Sequence, residues 1–302
     1  MPKAIVTGSK GFVGSHLVEY LLQQGWEVEG FNMRDGQNIL DYEYVRNALD
    51  VVRPDAIFHL AAQAFVPESL TNPSRTFMVN TLGSLNIIEA ARQLNIKANI
   101  HLCGTSEEYG AAMNGDGIID ELTLPEPSSP YAVSKMAMDF LGRMYARAYG
   151  LPIVVTRAFN HAGRGRGEMY AESSFAKQIV ECEMGKREFV EHGNLSTVRN
   201  YTDVRDVVRA YALAVDLPSD VYNICSTNSV TMQELMDLLV KNAKVPIKLK
   251  ENPALYRAGD FSFKTPSCEK FKKLTGWEPS YGLEETIVAV LEGWRDKLNA
   301  DS

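Results

Sequence analysis

Two textures alternate along the chain. Short apolar runs of strand length occur at Ala4 to Thr7, Glu27 to Phe31, Asp55 to Ala62, Asn99 to Cys103 and Leu151 to Arg157. Longer stretches between them carry apolar residues at helical spacing. The first has His16, Leu17, Tyr20, Leu21 and Leu22; a long one from Ser74 to Leu94 has Phe77, Leu85, Ile87 and Ile88. Strand followed by helix, repeated, predicts an α/β fold: a doubly wound parallel sheet with helices on both faces. After Phe159-Asn160-His161 the pattern changes. Gly163-Arg164-Gly165-Arg166-Gly167 reads as a flexible basic loop, and helices are predicted at Ser173 to Met184, Asp203 to Leu217 and Thr231 to Asn242. The expected organisation is a dinucleotide-binding domain of residues 1–158 plus about 200–223, and a smaller C-terminal α/β substrate lobe of about 159–199 and 224–302.

Composition narrows the partners. With 302 residues the chain can bury a large core, and 38 acidic against 31 basic residues give a net charge of −7. There is no basic tail, which argues against nucleic acid, so any anionic ligand must be met by local cations. Cys103, Cys182, Cys225 and Cys268 are far apart and form no metal-ligand or disulfide pattern. No apolar stretch is long enough to span a bilayer, and the expectation is a soluble, cytoplasmic protein with neither metal nor membrane partner.

Two motifs carry chemistry. Gly8, Gly11 and Gly14, with Lys10, Phe12 and Val13 between them, join the first strand to the first helix, a Rossmann-type turn in which backbone can approach a diphosphate at the helix N-terminus. The second strand ends at Asn32 instead of a carboxylate, with Arg34 beside it, which favours NADP(H) and leaves NAD(H) possible. The small residues of Leu60-Ala61-Ala62 suit a sheet edge under a flat cofactor, and Thr105-Ser106-Glu107 opens a polar loop at another strand end. The second motif is Ser129-Pro130-Tyr131-Ala132-Val133-Ser134-Lys135. Ser129 suits a helix cap and Pro130 the first turn, so Tyr131 and Lys135 fall one turn apart on one face. A free phenol has a pKa near ~10, and a neighbouring ammonium is expected to lower it, making Tyr131 the acid or base and Lys135 its tuner.

As a set, Thr7 to Gly14, His59 to Ala62, Thr105 to Gly110, Tyr131 with Lys135, and Gly276-Trp277-Glu278-Pro279 resemble the extended short-chain dehydrogenase/reductases that act on nucleotide sugars. Phe159-Asn160-His161, Phe175 to Ile179 and Arg199 to Asp206 resemble its GDP-mannose branch, most of all GDP-4-keto-6-deoxy-mannose reductases, then GDP-mannose 4,6-dehydratases. The resemblance implies an NADPH-dependent reduction at C4 with a GDP-rhamnose-type product. Thr105 would bond the reacting oxygen, Tyr131 pass the proton and Lys135 hold the nicotinamide ribose. It also implies Asp41 near the adenine, and Ser106, Glu107, Asn160, Lys177, Arg199 and Arg257 around the GDP-sugar. Glu107 stands where the dehydratases carry their acid/base, so a 4,6-dehydratase is the alternative, with a 4-epimerase or 4-dehydrogenase on a related GDP-sugar behind it. A non-catalytic NADP-binding protein is disfavoured by the intact Thr105, Tyr131 and Lys135. A homodimer through the helices at Ser74 to Leu94 and Pro130 to Tyr149 is implied as well, with Met136, Met138 and Met144 suited to its surface.

Overall fold

A computed structural model describes residues 1–226, 229–256 and 264–300. Six strands, β1 (Lys3–Thr7), β2 (Glu27–Phe31), β3 (Ala56–His59), β4 (Asn99–Thr105), β5 (Ile153–Ala158) and β6 (Val221–Ile224), form one sheet in the order β6-β5-β4-β3-β1-β2. All its pairings are parallel. The predicted Rossmann-type architecture is therefore present, and the chain reverses direction across the sheet between β1 and β3. Loops leaving the carboxyl ends of strands on either side of such a reversal open a crevice, which is where ligands bind in open α/β sheets.

Alternation along the strands separates the two faces. Ala4 and Val6 of β1 join one buried cluster with Leu17, Leu21, Phe58 and Tyr211, whereas Ile5 joins another with Val45, Ile57, Ile87 and Ile100. A third cluster lies apart from the sheet. It is built by the helices Ala171–Glu183, Met232–Lys241 and Leu283–Ala300, through Phe175, Ile179, Leu235, Ile287 and Trp294. Cys268, Phe271 and Trp277 belong to the first of the sheet clusters, not to this one. Trp277 is 1% exposed and its indole N–H donates to Asp206 O at 3.2 Å, so the late Gly-Trp-Glu-Pro stretch anchors the end of the chain on the helix Val204–Ala214.

The long helix predicted from Ser74 to Leu94 is continuous from Pro73 to Gln93 but widens into a π segment at Met78–Leu82. Asn80 in that segment is buried, and its amide holds the Gln63 backbone on both sides, at 2.8 and 3.0 Å, and donates to Ser134 Oγ at 2.9 Å. The segment thus ties the end of β3 to the helix Pro130–Tyr149. Among the described residues no helix is long and apolar enough to cross a membrane, and no cluster of His, Cys, Asp and Glu could hold a metal ion.

Candidate active site

The crevice begins at the glycine turn. Gly8 has φ +71°, its N–H donates to Phe31 O at 2.7 Å, and Gly11 N–H donates back to Gly8 O at 2.8 Å. A Cβ on Gly14 would stand 2.1 Å from Gly8 O, so the helix Phe12–Gln23 can start this close to the turn only with glycine there. No side chain caps that helix and no acidic residue occupies its first turn. Its first N–H groups are therefore left to bind an anion at the positive end of the helix dipole, and the turn fits the diphosphate of a dinucleotide.

Thr7 joins this turn to the end of β3. Its hydroxyl oxygen accepts from Leu60 N at 3.1 Å and Ala61 N at 3.0 Å, leaving its proton for His59 Nδ1 at 2.8 Å. His59 Nε2 then donates to Ser84 Oγ at 2.9 Å, and that hydroxyl donates to Asn80 O at 2.6 Å. Burial, with a smaller contribution from Lys135, lowers the pKa of His59 to about 3, consistent with the neutral tautomer that these bonds require. Leu60, Ala61 and the turn at Gly8 are in close contact: a Cβ on Gly8 would be 3.0 Å from Ala61 N.

At the end of β2, Asn32 Oδ1 accepts from Arg34 N at 2.9 Å and starts a short turn that holds Arg34 at the surface. Asp35, the acidic neighbour, is paired with Lys10 at 2.6 Å. Arg34 makes no ion pair among the described residues, whereas Lys10 is engaged. Asp41 spends one oxygen capping the helix Tyr42–Val52, accepting from Tyr44 N at 3.0 Å.

Ser129 caps the helix Pro130–Tyr149 through Ala132 N at 3.1 Å, with Pro130 in its first turn. Tyr131 and Lys135 are buried on it, 8% and 3% exposed. Burial, and not the Lys135 ammonium, sets the direction of the Tyr131 shift. Burial pushes the Tyr131 phenol well above its ordinary value, Cys103, Tyr170 and Glu107 push the same way, and a hydrogen bond with Thr105 pulls it back. Burial also lowers Lys135, against Cys103 and Glu108, which raise it. A charge in so apolar a setting is costly for both groups, so the phenol keeps its proton.

Beyond this pair opens a cleft of about 900 Å³. Ser106, Glu107, Asn160 and Arg199 line it, as do Phe65, Arg166 and Tyr170. Burial raises the Glu107 carboxyl while Arg199 opposes that shift. Lys177 is not brought to the cleft. Its ammonium is paired with Glu168, with Glu181 at 3.8 Å, and the helix Ala171–Glu183 presents Ser174, Phe175 and Gln178 to the cleft instead. Arg257 lies outside the described residues.

Sequence reading missed Arg166 and His161. The Arg166 guanidinium lies 3.5 Å from the Tyr170 ring centroid and 4.9 Å from that of Phe12, and the His161 ring stacks on Phe12 at 6.0 Å. Arg166 therefore bridges the glycine turn and the cleft; its buried Nε has no hydrogen-bond partner among the described residues and faces Glu172 Oε1 in an ion pair at 3.4 Å. The basic loop was the signal, but only its docking on Phe12 gives it a place.

A parallel Rossmann sheet whose strand ends gather a glycine turn, a Ser/Thr and a Tyr/Lys pair is the arrangement of the nucleotide-sugar short-chain dehydrogenase/reductases. The chain belongs to the GDP-mannose 4,6 dehydratase family, whose pattern matches residues 5–290. Its curated relatives include the GDP-6-deoxy-D-mannose reductase of Pseudomonas aeruginosa, 30% identical over 302 residues, 99% of each chain. GDP-mannose 4,6 dehydratase 1 of Arabidopsis thaliana is 28% identical over 340 residues, covering 99% of this chain and 92% of its own. The structure of RMD from Pseudomonas aeruginosa complexed with NADPH superposes with a TM-score of 0.89 at 29% identity, covering 98% of this chain and 100% of that one. The protein is thus an oxidoreductase enzyme of the NAD(P)-dependent nucleotide-sugar class.

Proposed function

We propose that the protein is an NADPH-dependent reductase of the C4 carbonyl of a GDP-4-keto-6-deoxyhexose, giving a GDP-rhamnose-type product. Collinearity carries the reading: the alignment with the Pseudomonas reductase takes 302 residues and 99% of both chains, whereas that with the Arabidopsis dehydratase stretches to 340. Tyr131 is protonated in this buried setting, which is the form a reduction needs at its start.

Bound in the glycine turn, NADPH supplies the hydride. Tyr131 gives its proton to the carbonyl oxygen as charge builds there, and the Thr105 hydroxyl bonds the same oxygen. Lys135, one helical turn on, opposes the charge that the phenol takes on once its proton has left. Asn160 and Arg199 hold the nucleotide diphosphate, Arg199 by the paired N–H geometry that suits phosphate oxygens. Arg34 would hold the 2′-phosphate of the cofactor, and Arg166 covers Phe12 at the glycine turn.

The test mixes the enzyme with NADPH and GDP-4-keto-6-deoxymannose, follows reduced-nicotinamide absorbance and identifies the sugar by NMR. One NADPH consumed per reduced 6-deoxy sugar is expected; no oxidation sinks the reading. Arg34→Ala should raise KM for NADPH by about tenfold, the worth of one charge-assisted phosphate contact, without changing KM for NADH. A 4,6-dehydratase is the second reading, favoured by Glu107 in the cleft with its carboxyl raised by burial. It requires turnover of GDP-mannose that Glu107→Gln abolishes.

The functional unit in this reading is a homodimer. Phe77, Met78 and Leu82 on one helix and Val133, Phe140 and Met144 on its neighbour are exposed apolar residues on adjacent helices. Met138, expected on that surface, is instead 0% exposed beneath Lys135. Light scattering after size exclusion should give twice the chain mass, and Phe140→Glu should give the monomer; a wild-type monomer at micromolar concentration would remove this part of the proposal.

A further inference from the structure

Behind Thr105 lies a group of buried charges that the reaction above does not use. Glu108, Arg157 and Asp139 are 0%, 2% and 0% exposed. Glu108 reaches back along its own loop, and Oε1 accepts from Thr105 N at 2.9 Å. Its other oxygen, Oε2, takes Arg157 Nε at 3.0 Å. The same guanidinium donates to Asp139 Oδ2 through Nη2 at 2.6 Å and Nε at 3.0 Å, and Asp139 Oδ1 takes Arg143 Nε at 2.5 Å. Asp139 stands one turn beyond Lys135 on the helix that carries Tyr131.

Two features show how closely this group is fitted to the loop. A Cβ on Gly104 would lie 2.7 Å from Glu108 Oε1, so the carboxylate can fold back only over a glycine. The Arg157 guanidinium also lies over the Tyr109 ring, 4.9 Å from its centroid, and the Tyr109 hydroxyl donates to Asn223 Oδ1 at 2.7 Å. None of these side chains except Arg143 reaches the surface to any extent, and neither Glu108 nor Arg157 lines the cleft.

We infer that Glu108 is a positioning residue: with Arg157 and Asp139 it forms a strut that sets the Thr105 hydroxyl against the Tyr131 phenol. Thr105 and Tyr131 stand on different elements, the end of β4 and the helix Pro130–Tyr149. Backbone at a strand end is free to move by a fraction of an ångström unless something holds it, and displacements of about 1 Å can cost ~100-fold in rate. The strut connects the Thr105 N–H to the helix through three buried side chains. Burying the three ionisable groups Glu108, Arg157 and Asp139 for stability alone is unfavourable compared with apolar packing, whereas fixing geometry gives the group a use.

The inference rests on the role given to Thr105 under the proposed function. Its test is a double-mutant cycle of wild type, Thr105→Val, Glu108→Met and both together, assayed with NADPH and GDP-4-keto-6-deoxymannose. Glu108→Met keeps the volume and removes the acceptor. It should lower kcat by about 30- to 100-fold, leave KM for the sugar nucleotide within about threefold, and largely erase the further loss caused by Thr105→Val. Glu108→Gln, which keeps an oxygen for Thr105 N–H, should recover part of the loss. Independent, multiplying effects of the two substitutions, or a kcat within about threefold of wild type, would overturn the strut. If Glu108→Met does not fold, Asp139→Asn takes its place and loosens the other end, with the same two outcomes. Amide exchange at Thr105 gives a readout that needs no turnover. Faster exchange in the variant with an unchanged global unfolding free energy supports the strut, and unchanged exchange removes it. Normal kcat in Thr105→Val alone would instead defeat the reading of Thr105.

Discussion

Tyr131→Phe should lower kcat for reduction by about 10³-fold, the middle of the range for loss of a positioned proton donor. The substitution removes one oxygen and leaves the ring, which is 8% exposed, in its packing. The helix start is untouched, because Ser129 caps it through Ala132 N and Ser134 Oγ bonds the Tyr131 carbonyl at 2.7 Å. Cofactor affinity by fluorescence titration and the thermal midpoint should both match wild type, so the loss falls on the chemical step. The Thr105 hydroxyl stays held in the variant, because Glu107 N donates to it at 3.3 Å. A kcat within tenfold of wild type would move the proton to another group, of which Glu107 in the cleft is the first candidate.

Gly14→Ala should weaken NADPH binding by about 10- to 100-fold and lower stability by about 1–3 kcal/mol, as overpacking does. The new methyl would sit 2.1 Å from Gly8 O and 2.8 Å from Gly8 C, both backbone atoms. Neither side can retreat freely. Gly8 is held by Phe31 O at 2.7 Å and packed on Ala61, while Leu17 and Leu21 bury the helix against the sheet. The turn must open, and each N–H lost from the diphosphate is worth ~1.5–3 kcal/mol of binding. Gly25→Ala is the control: it has φ +79° and open space around it, so it strains the backbone without touching the site. Isothermal titration on both variants should show weakened NADPH binding only for Gly14→Ala. Equal affinities would mean that the turn does not hold the cofactor.

The elements were legible because each depends on neighbours in sequence. Short apolar runs of strand length, the glycine turn, the Ser129 cap and Pro130 in the first helical turn are local rules, and the sheet they imply is the one found. Tyr131 and Lys135 on one helix followed from spacing alone. The long helix was also legible, but not its π segment at Met78–Leu82, since an extra residue in one turn leaves the apolar spacing nearly unchanged.

Contacts between distant segments decided the rest. Lys177 has the composition of a phosphate ligand, yet Glu168 and Glu181 take its charge; Met138 has the spacing of a surface residue, yet it lies under Lys135. Arg166 acquired a place only by stacking on Phe12, and Glu108 met Arg157 across a separation of 49 residues. The direction of the Tyr131 shift belongs to this group too. A neighbouring ammonium can be read from spacing, but the cost of a buried phenolate depends on how many segments close over it. The sequence by itself determined which residue types stand at the strand ends and in what order. Tertiary structure decided which of them face the cleft and in what charge state, because burial and pairing are properties of the packed chain and not of any stretch of it.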